Sequence, residues 1–125
     1  MSANFKSQQP LILAVDNALM FLSTLERILE QEPYELRCVT TADAALEFLA
    51  GNQPDLILID VEMPDMDGYE LTGIIKRNKS SIPILIVTAN HDKEYYDRAI
   101  KAGASDLLIK PLRRAQLLEK LKEYT

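Results

Sequence analysis

The sequence predicts an α/β fold in which helices cover both faces of a parallel β-sheet, and three observations support this prediction. Five short apolar runs alternate with five segments of helical character along the 125 residues. Three of the runs, at 11–16, 55–60 and 82–87, are apolar nearly throughout, as parallel strands buried on both faces are. Strands separated by helical connections join through right-handed crossovers, which place helices on both sides of the sheet.

The two other apolar runs predict strands of a different character. "YELRCV" at 34–39 alternates polar and apolar residues, which predicts an edge strand with one wetter face. "DLLIK" at 106–110 is the last apolar run and is predicted to be the fifth strand. The resulting pattern is β-α repeated five times.

The connecting segments have helical spacing or composition. The first carries leucines three and four residues apart, which places them on one face. The second, "TADAALEFLAG", is rich in helix formers and is predicted to end at Gly51, with Thr40 and Asp43 spaced as a capping box. The third is expected at about 69–78, the fourth should end at Gly103, and the fifth is "RAQLLEKLKEY".

Length and composition indicate one globular domain. A chain of 125 residues with 47 % hydrophobic residues can bury a core but is too short for two ordinary domains. The net charge of −5 argues against a nucleic-acid-binding surface, and no apolar run approaches a membrane span. Cys38 is the only cysteine, which fits a cytoplasmic location. Residues 1–9 are expected to be a flexible tail and 10–125 the domain.

Polar side chains follow four of the five predicted strands, where function gathers in sheets of this kind. The first strand runs into Asp16 and Asn17, and the third ends in Asp60. The fourth is followed by Thr88 and the fifth by Lys110. Buried strands have no structural need for such endings, so together they predict a functional site at one edge of the sheet.

The residue types at this edge indicate phosphate chemistry. Clustered carboxylates raise one another's pKa unless a cation intervenes, and Mg²⁺ is a hard cation that prefers oxygen ligands. Lys110 would add a second positive charge and Thr88 a hydroxyl donor. Such a site suits phosphate, and a carboxylate within it could accept a phosphoryl group to form an acyl phosphate.

Four motifs, "LILAVDN", "LILIDVEMPDMDG", "PILIVTA" and "GASDLLIKP", resemble the receiver domain of two-component response regulators in their order and spacing. The resemblance covers about residues 10–123. It implies a flavodoxin-like (βα)5 three-layer sandwich whose five-stranded parallel sheet has the order 2-1-3-4-5. It also implies a signalling domain that catalyses only its own phosphorylation and dephosphorylation.

The resemblance implies a Mg²⁺ site. Asp16 would help to hold the metal together with Asp60, and Glu62 would contribute its backbone carbonyl. Receivers usually carry a second acid where this chain has Asn17. An amide oxygen can still ligate Mg²⁺ but brings no charge, so weaker binding is expected. Asn17 is alternatively the N-cap of the first helix.

The resemblance also assigns the phosphoryl chemistry. Asp60 would be the phosphoacceptor, Thr88 would donate a hydrogen bond to the phosphoryl oxygen, and Lys110 would pair with the phosphoryl group. The peptide between Lys110 and the proline that follows it is expected to be cis. Asn90 and the Glu62 side chain flank the site and are candidates for tuning dephosphorylation.

Partners follow from the same resemblance. A histidine kinase or phosphotransfer protein would donate the phosphoryl group, and an output domain or effector protein would respond to the surface of the fourth helix, fifth strand and fifth helix. That surface also offers a route to a homodimer. Leu107 stands where receivers usually carry a switching Tyr or Phe, so the usual aromatic switch is in doubt.

Two other interpretations remain open at this point. A degenerate receiver would keep the fold and bind partners without phosphorylation, and Asn17 and Leu107 favour it. An enzyme or nucleotide-binding protein on a similar sheet is disfavoured, because "VDNALMF" after the first strand contains no glycine for a phosphate-binding loop.

Overall fold

Five parallel strands alternate with five helices in the structure, a computed structural model that describes residues 9–79 and 81–125. The strands are β1 (Leu11–Val15), β2 (Glu35–Val39), β3 (Leu56–Asp60), β4 (Ile84–Thr88) and β5 (Asp106–Ile109). The helices are α1 (Leu19–Leu29), α2 (Ala42–Gly51), α3 (Gly68–Asn78), α4 (Lys93–Ala102) and α5 (Arg114–Tyr124). Of the expected N-terminal tail, residues 1–8 lie outside the described residues.

The strands form one parallel sheet in the order β2-β1-β3-β4-β5, which confirms the flavodoxin-like fold and its strand order. β2 lies at an edge and has an exposed face, as its alternating sequence predicts. β1 pairs with β2 on one side and with β3 on the other. The strand order therefore reverses between β1 and β3, and a crevice opens at their carboxyl ends.

The core has two main layers because successive residues of a strand point to opposite faces of the sheet. Ile12 and Leu58 face the layer built with α1 and α5, where Leu25 and Leu117 are fully buried. A second set packs against α2 and α3 on the other face: Leu13, Val15, Ile57, Ile59, Ala45, Leu71 and Ile75. Each buried Leu or Ile stabilises the fold by roughly 1.5–3 kcal/mol, so both layers stabilise the sheet whose strand ends carry the polar residues.

Local residues set the ends of the helices, with one difference from the sequence prediction. Thr41 is the N-cap of α2, and its side chain accepts a hydrogen bond from the Ala44 N–H at 3.0 Å. The capping box predicted from Thr40 was therefore wrong by one residue. α4 ends at Gly103 as predicted, because a φ of 112° there favours glycine. None of the helices described is both long and apolar enough to span a membrane.

Candidate functional site

Two carboxylates lie side by side where the strand order reverses. Val15 of β1 pairs with Ile59 of β3, so the next residues of the two strands, Asp16 and Asp60, are neighbours at the carboxyl edge. Asp16 is 1 % exposed and Asp60 is 8 % exposed. Buried carboxylates require a compensating partner, because burial without one strongly disfavours the charged form.

The ammonium of Lys110 is that partner for both acids. Its Nζ lies 2.9 Å from Oδ2 of Asp16 and 3.1 Å from Oδ1 of Asp60. The backbone holds Lys110 in place, since its N–H donates to the carbonyl of Thr88 at 2.8 Å just beyond the end of β5. The Lys110–Pro111 peptide is cis, as expected. One lysine therefore bridges the acids that end β1 and β3.

The two carboxylate oxygens of Asp16 have different partners. Its Oδ1 accepts a hydrogen bond from the Ala18 N–H at 2.8 Å. Its buried Oδ2 has the Lys110 ammonium at ion-pair distance but receives no aligned hydrogen bond. Ala18 is the N-cap of α1, so the alternative of Asn17 as that cap was wrong. Asn17 is exposed at the mouth of the site.

Thr88 brings a hydroxyl to the same edge from β4. The residue is 7 % exposed, and its Oγ1 accepts a hydrogen bond from the Asn90 N–H at 3.1 Å. A hydroxyl that accepts a hydrogen bond still has its own hydrogen to donate. Thr88 can therefore donate to an oxygen that enters the site.

These groups border a cavity of about 590 Å³. Its lining is Asn17, Ala18, Asp60, Val61, Glu62, Met63, Pro64, Thr88, Ala89, Asn90, Tyr95 and Lys110. All the predicted site residues except Asp16 belong to this lining. Asp16 is 1 % exposed and is joined to this lining by its ion pair with Lys110.

The electrostatics of the site follow from this arrangement. Burial raises the pKa of Asp60, and the charge of Asp16 raises it further, while Lys110 works in the opposite direction. Burial alone would lower the pKa of Lys110, but the carboxylates of Asp16 and Asp60 outweigh it, so this pKa is raised. The ammonium is therefore firmly protonated, whereas Asp60 is a more basic carboxylate than an exposed one.

The oxygen donors available to a cation are few. Within residues 9–79 and 81–125, no group of three or more His, Cys, Asp or Glu side chains is arranged to hold a metal ion. The donors on hand are the carboxylates of Asp16 and Asp60, the amide of Asn17 and the backbone and side chain of Glu62. Because Asn17 follows Asp16, the site has one carboxylate fewer than it would have with a second acid at this position.

Sequence reasoning missed two residues that contact the site or its loops. The ring of Phe21 on α1 lies under Lys110, with the ammonium 4.4 Å from the ring centroid. Asp65, in the loop after β3, accepts hydrogen bonds from the N–H groups of Ala42 and Asp43 at the start of α2. No sequence spacing signals either contact, because each joins segments that only the tertiary fold brings together.

Leu107 lies in a small apolar cluster away from the carboxylates. It packs against Tyr69, Ile86, Ala99 and Ala104, which belong to α3, β4, α4 and the turn before β5. The guanidinium of Arg98 lies 4.3 Å from the centroid of the Tyr69 ring. The aromatic ring of this region is thus supplied by α3 and not by β5.

A doubly wound parallel sheet with two acids, a threonine and a lysine at its carboxyl edge defines the class of flavodoxin-like signalling domains. The family model described as the response regulator receiver domain matches residues 12–122. The chain belongs to this family.

Relatives and solved structures agree with the assignment. The chain is 35 % identical over 108 residues to the two-component response regulator ARR10 of Arabidopsis thaliana, a match covering 85 % of this chain and 19 % of that protein. It therefore spans about a fifth of the length of this curated relative. A CheY-like receiver domain protein from Methanospirillum hungatei has a TM-score of 0.86 and 32 % identity, with 93 % of each chain covered. The chemotaxis response regulator CheY4 of Vibrio cholerae has a TM-score of 0.88 and 26 % identity, with 94 % of this chain and 100 % of that one covered.

Proposed function

We propose that this domain accepts a phosphoryl group on Asp60 and passes the signal to a partner. The observation that carries the proposal is the position of the Lys110 ammonium, within 3.1 Å of Asp60 and 2.9 Å of Asp16 at the mouth of a cavity. A lysine placed there stabilises the negative oxygens of a phosphoryl group during transfer.

The proposed reaction is a phosphoryl transfer to a carboxylate. A carboxylate oxygen of Asp60 attacks the phosphorus, a P–O bond forms, and the bond from phosphorus to the donor's nitrogen or oxygen breaks. The leaving group keeps the electron pair of that bond. Lys110 pairs with one phosphoryl oxygen, and the Thr88 hydroxyl donates to another. Burial makes Asp60 more basic than an exposed aspartate, which strengthens it as a nucleophile.

The residues present fit a Mg²⁺ ion. Oδ2 of Asp16 is a buried oxygen without an aligned hydrogen bond, and a hard cation would satisfy it. Asp60, the Asn17 amide and the Glu62 backbone carbonyl would complete the protein ligands, with water in the remaining positions. When bound, the metal supplies further positive charge for the transferring oxygens.

The partners belong to the proposal as well. A histidine kinase or phosphotransfer protein in the cytoplasm would donate the phosphoryl group. The surface formed by α4, β5 and α5 would contact an output domain, an effector protein or a second copy of the chain. Tyr96 and Ile100 of α4 are 44 % and 40 % exposed, which gives this surface an apolar contact site.

A degenerate receiver is the second candidate, and the amide at Asn17 favours it. If Asp16 and Asp60 bind no metal, the domain would act as a phosphorylation-independent interaction module. A Mg²⁺ titration followed by NMR distinguishes the two. Saturation at millimolar metal supports phosphorylation, and an absence of shifts around Asp60 supports the degenerate receiver.

The direct test is incubation with Mg²⁺ and acetyl phosphate, followed by intact-protein mass spectrometry. We expect one added phosphoryl group on the wild-type protein and none on Asp60→Asn. Glu62→Gln is the matched control, because it leaves the backbone carbonyl in place and should still be phosphorylated. An adduct of equal yield on Asp60→Asn would overturn the assignment of the acceptor.

A further inference from the structure

Asp65 joins the loop after β3 to the start of α2. Its Oδ1 accepts a hydrogen bond from the Ala42 N–H, and its Oδ2 accepts one from the Asp43 N–H, each at 3.0 Å. The first amides of a helix have no acceptor within the helix itself, so an outside carboxylate can bind them. Both oxygens of Asp65 are used in this way.

The helix that Asp65 binds already has its own cap. Thr41 accepts from the Ala44 N–H at 3.0 Å, so the Thr41 side chain and the Asp65 carboxylate serve different amides at the start of α2. The Ala42 and Asp43 amides are bound by a loop more than twenty residues further along the chain. The contact has a second effect, which is to fix the loop.

The loop at 61–67 is anchored tightly at its far end. The Gly68 N–H donates to the Val61 carbonyl at 2.7 Å, which closes the loop on itself. Asp67 caps α3 by accepting from the Glu70 N–H at 2.8 Å. In the middle of the loop, Asp65 makes a directional contact, beside the apolar packing of Met63 and Met66.

The near end of the same loop forms one wall of the cavity. Glu62, Met63 and Pro64 line it next to Asp60. Asp65 follows Pro64 directly and lies three residues after Glu62. A shift of Asp65 away from α2 would therefore move the wall that carries the Glu62 carbonyl.

We propose that Asp65 is a positioning residue that couples the start of α2 to the phosphoacceptor site. Its carboxylate holds the loop at 61–67 so that the backbone carbonyl of Glu62 stays at the cavity. The coupling to metal binding rests on the proposed function, whereas the control of loop order does not. Because coupling is reciprocal, Mg²⁺ binding should also protect the Ala42 and Asp43 amides from exchange.

The first experiment compares Asp65→Ala with Thr41→Ala by amide hydrogen exchange without metal. Both variants remove side-chain acceptors at the start of α2, two carboxylate oxygens in Asp65→Ala and one hydroxyl in Thr41→Ala, but only the first releases the loop. We expect faster exchange of the Gly68 amide in Asp65→Ala and an unchanged Gly68 amide in Thr41→Ala. Equal Gly68 exchange in Asp65→Ala and wild type would overturn the proposal.

The second experiment measures Mg²⁺ affinity in the same proteins by NMR titration. We expect about tenfold weaker binding in Asp65→Ala, as for other residues that orient metal ligands. Thr41→Ala should match wild type. The Mg²⁺ affinity of Asp65→Asn should lie between those of wild type and Asp65→Ala, because the side-chain oxygen of Asn can accept from one of the two backbone amides. Asp65→Asn also replaces Asp65→Ala in the comparison if the alanine variant fails to fold.

The two experiments separate the possible failures. If wild type binds no Mg²⁺, the proposed function fails, while the exchange data still decide whether Asp65 orders the loop. If wild type and Asp65→Ala bind Mg²⁺ equally, the coupling is wrong and the proposed function stands. Equal losses of affinity in Asp65→Ala and Thr41→Ala would reduce Asp65 to an ordinary helix cap.

Discussion

The ammonium of Lys110 lies 4.4 Å from the centroid of the Phe21 ring while it pairs with Asp16 and Asp60. The half-buried ring covers the side of the ammonium that faces α1. A cation over an aromatic face is held electrostatically as well as by packing. Phe21 therefore restricts where Lys110 can point.

Phe21→Leu should slow phosphorylation of Asp60 by acetyl phosphate about threefold. A factor of this size corresponds to the lower end of the energy range of a cation–π contact. Leucine keeps most of the apolar volume but has no aromatic face. Phe21→Tyr keeps the ring and should react at the wild-type rate. Rates from mass spectrometry time courses provide the measurement, and Met20→Leu, at a position 86 % exposed on the same helix, is the control. A Leu variant as fast as the Tyr variant would contradict this role for the ring.

Asp60→Asn should stabilise the metal-free protein at neutral pH. Burial and the charge of Asp16 raise the pKa of Asp60 above its ordinary value of 3.8, so the folded state holds this proton more tightly than the unfolded state does. The ionised form therefore costs stability, and wild-type stability should fall as pH rises through the raised pKa.

Urea unfolding at several pH values measures this effect. The difference in the free energy of unfolding between Asp60→Asn and wild type should be present at neutral pH. It should disappear in acid, below the pKa of Asp60 in both the folded and the unfolded state. A variant less stable than wild type at neutral pH would show that the lost pairing with Lys110 outweighs the relief of repulsion.

Asp106→Asn should lower the free energy of unfolding by about 1–2 kcal/mol at neutral pH. Asp106 ties the start of β5 to α5 by accepting from Lys120 and from the Tyr124 hydroxyl at 3.1 Å, and from the Leu107 N–H at 2.8 Å. Burial would raise the pKa of Asp106, but these three donors outweigh it and lower the pKa. Burial, and next the hydrogen bond to Asp106, raise the pKa of Tyr124 to about 12.

The sign of the pH dependence is opposite to that of Asp60. A lowered pKa in the folded state gives stability that is complete above the ordinary Asp value of 3.8 and is lost as pH falls through the lowered value. Denaturant unfolding at neutral and acidic pH should show the difference from wild type shrinking in acid. Asp97→Asn, which breaks only an exposed pair with Lys93, is the control and should change stability little. A pH-independent loss in Asp106→Asn would point to packing instead of charge.

Gly68→Ala should destabilise the fold by about 1–3 kcal/mol, the usual range for overpacking, and impair phosphorylation. A Cβ at this position would lie 2.3 Å from the carbonyl oxygen of Asp60 and 2.9 Å from Cα of Val61. These are backbone atoms, so Asp60, the proposed phosphoacceptor, must shift to make room.

Gly73→Ala is the matched control for Gly68→Ala within α3. The nearest atom to a Cβ there is the end of the Arg77 side chain at 3.7 Å. This variant should gain up to about 1 kcal/mol from helix propensity. Thermal unfolding of the two variants gives the comparison, and a neutral effect of Gly68→Ala would show that the loop can move without cost.

The sequence predicted the strands, the helices and the polar residues that gather at the carboxyl edge, because these depend on short-range patterns. Buried parallel strands are apolar throughout, so the polar residues that end them, such as Asp60 and Lys110, stand out. The strand order came from the family resemblance, and the pairing of β1 with both β2 and β3 confirms it. The cis peptide after Lys110 was likewise a family feature.

What escaped prediction depends on distances between separate elements. Phe21 looks like any apolar residue of an amphipathic helix until β5 brings Lys110 over it. Asp65 is one of several acids in its loop, and only the approach of α2 gives it two donors. The cap at Thr41 differs from the expected Thr40 by one residue, because two adjacent threonines offer the same side chain to different turns.

The bridge from Lys110 to two acids gives this domain a counter-ion of its own. This cation is covalently attached, so Asp16 and Asp60 have a compensating charge beside them without a free ion. The crevice is thus already assembled, and under the proposed function an arriving phosphoryl group would exchange contacts with an ammonium that is already there. Accepting that group would then demand little reorganisation of the sheet itself, and the cost of switching would fall on the loops and helices around it.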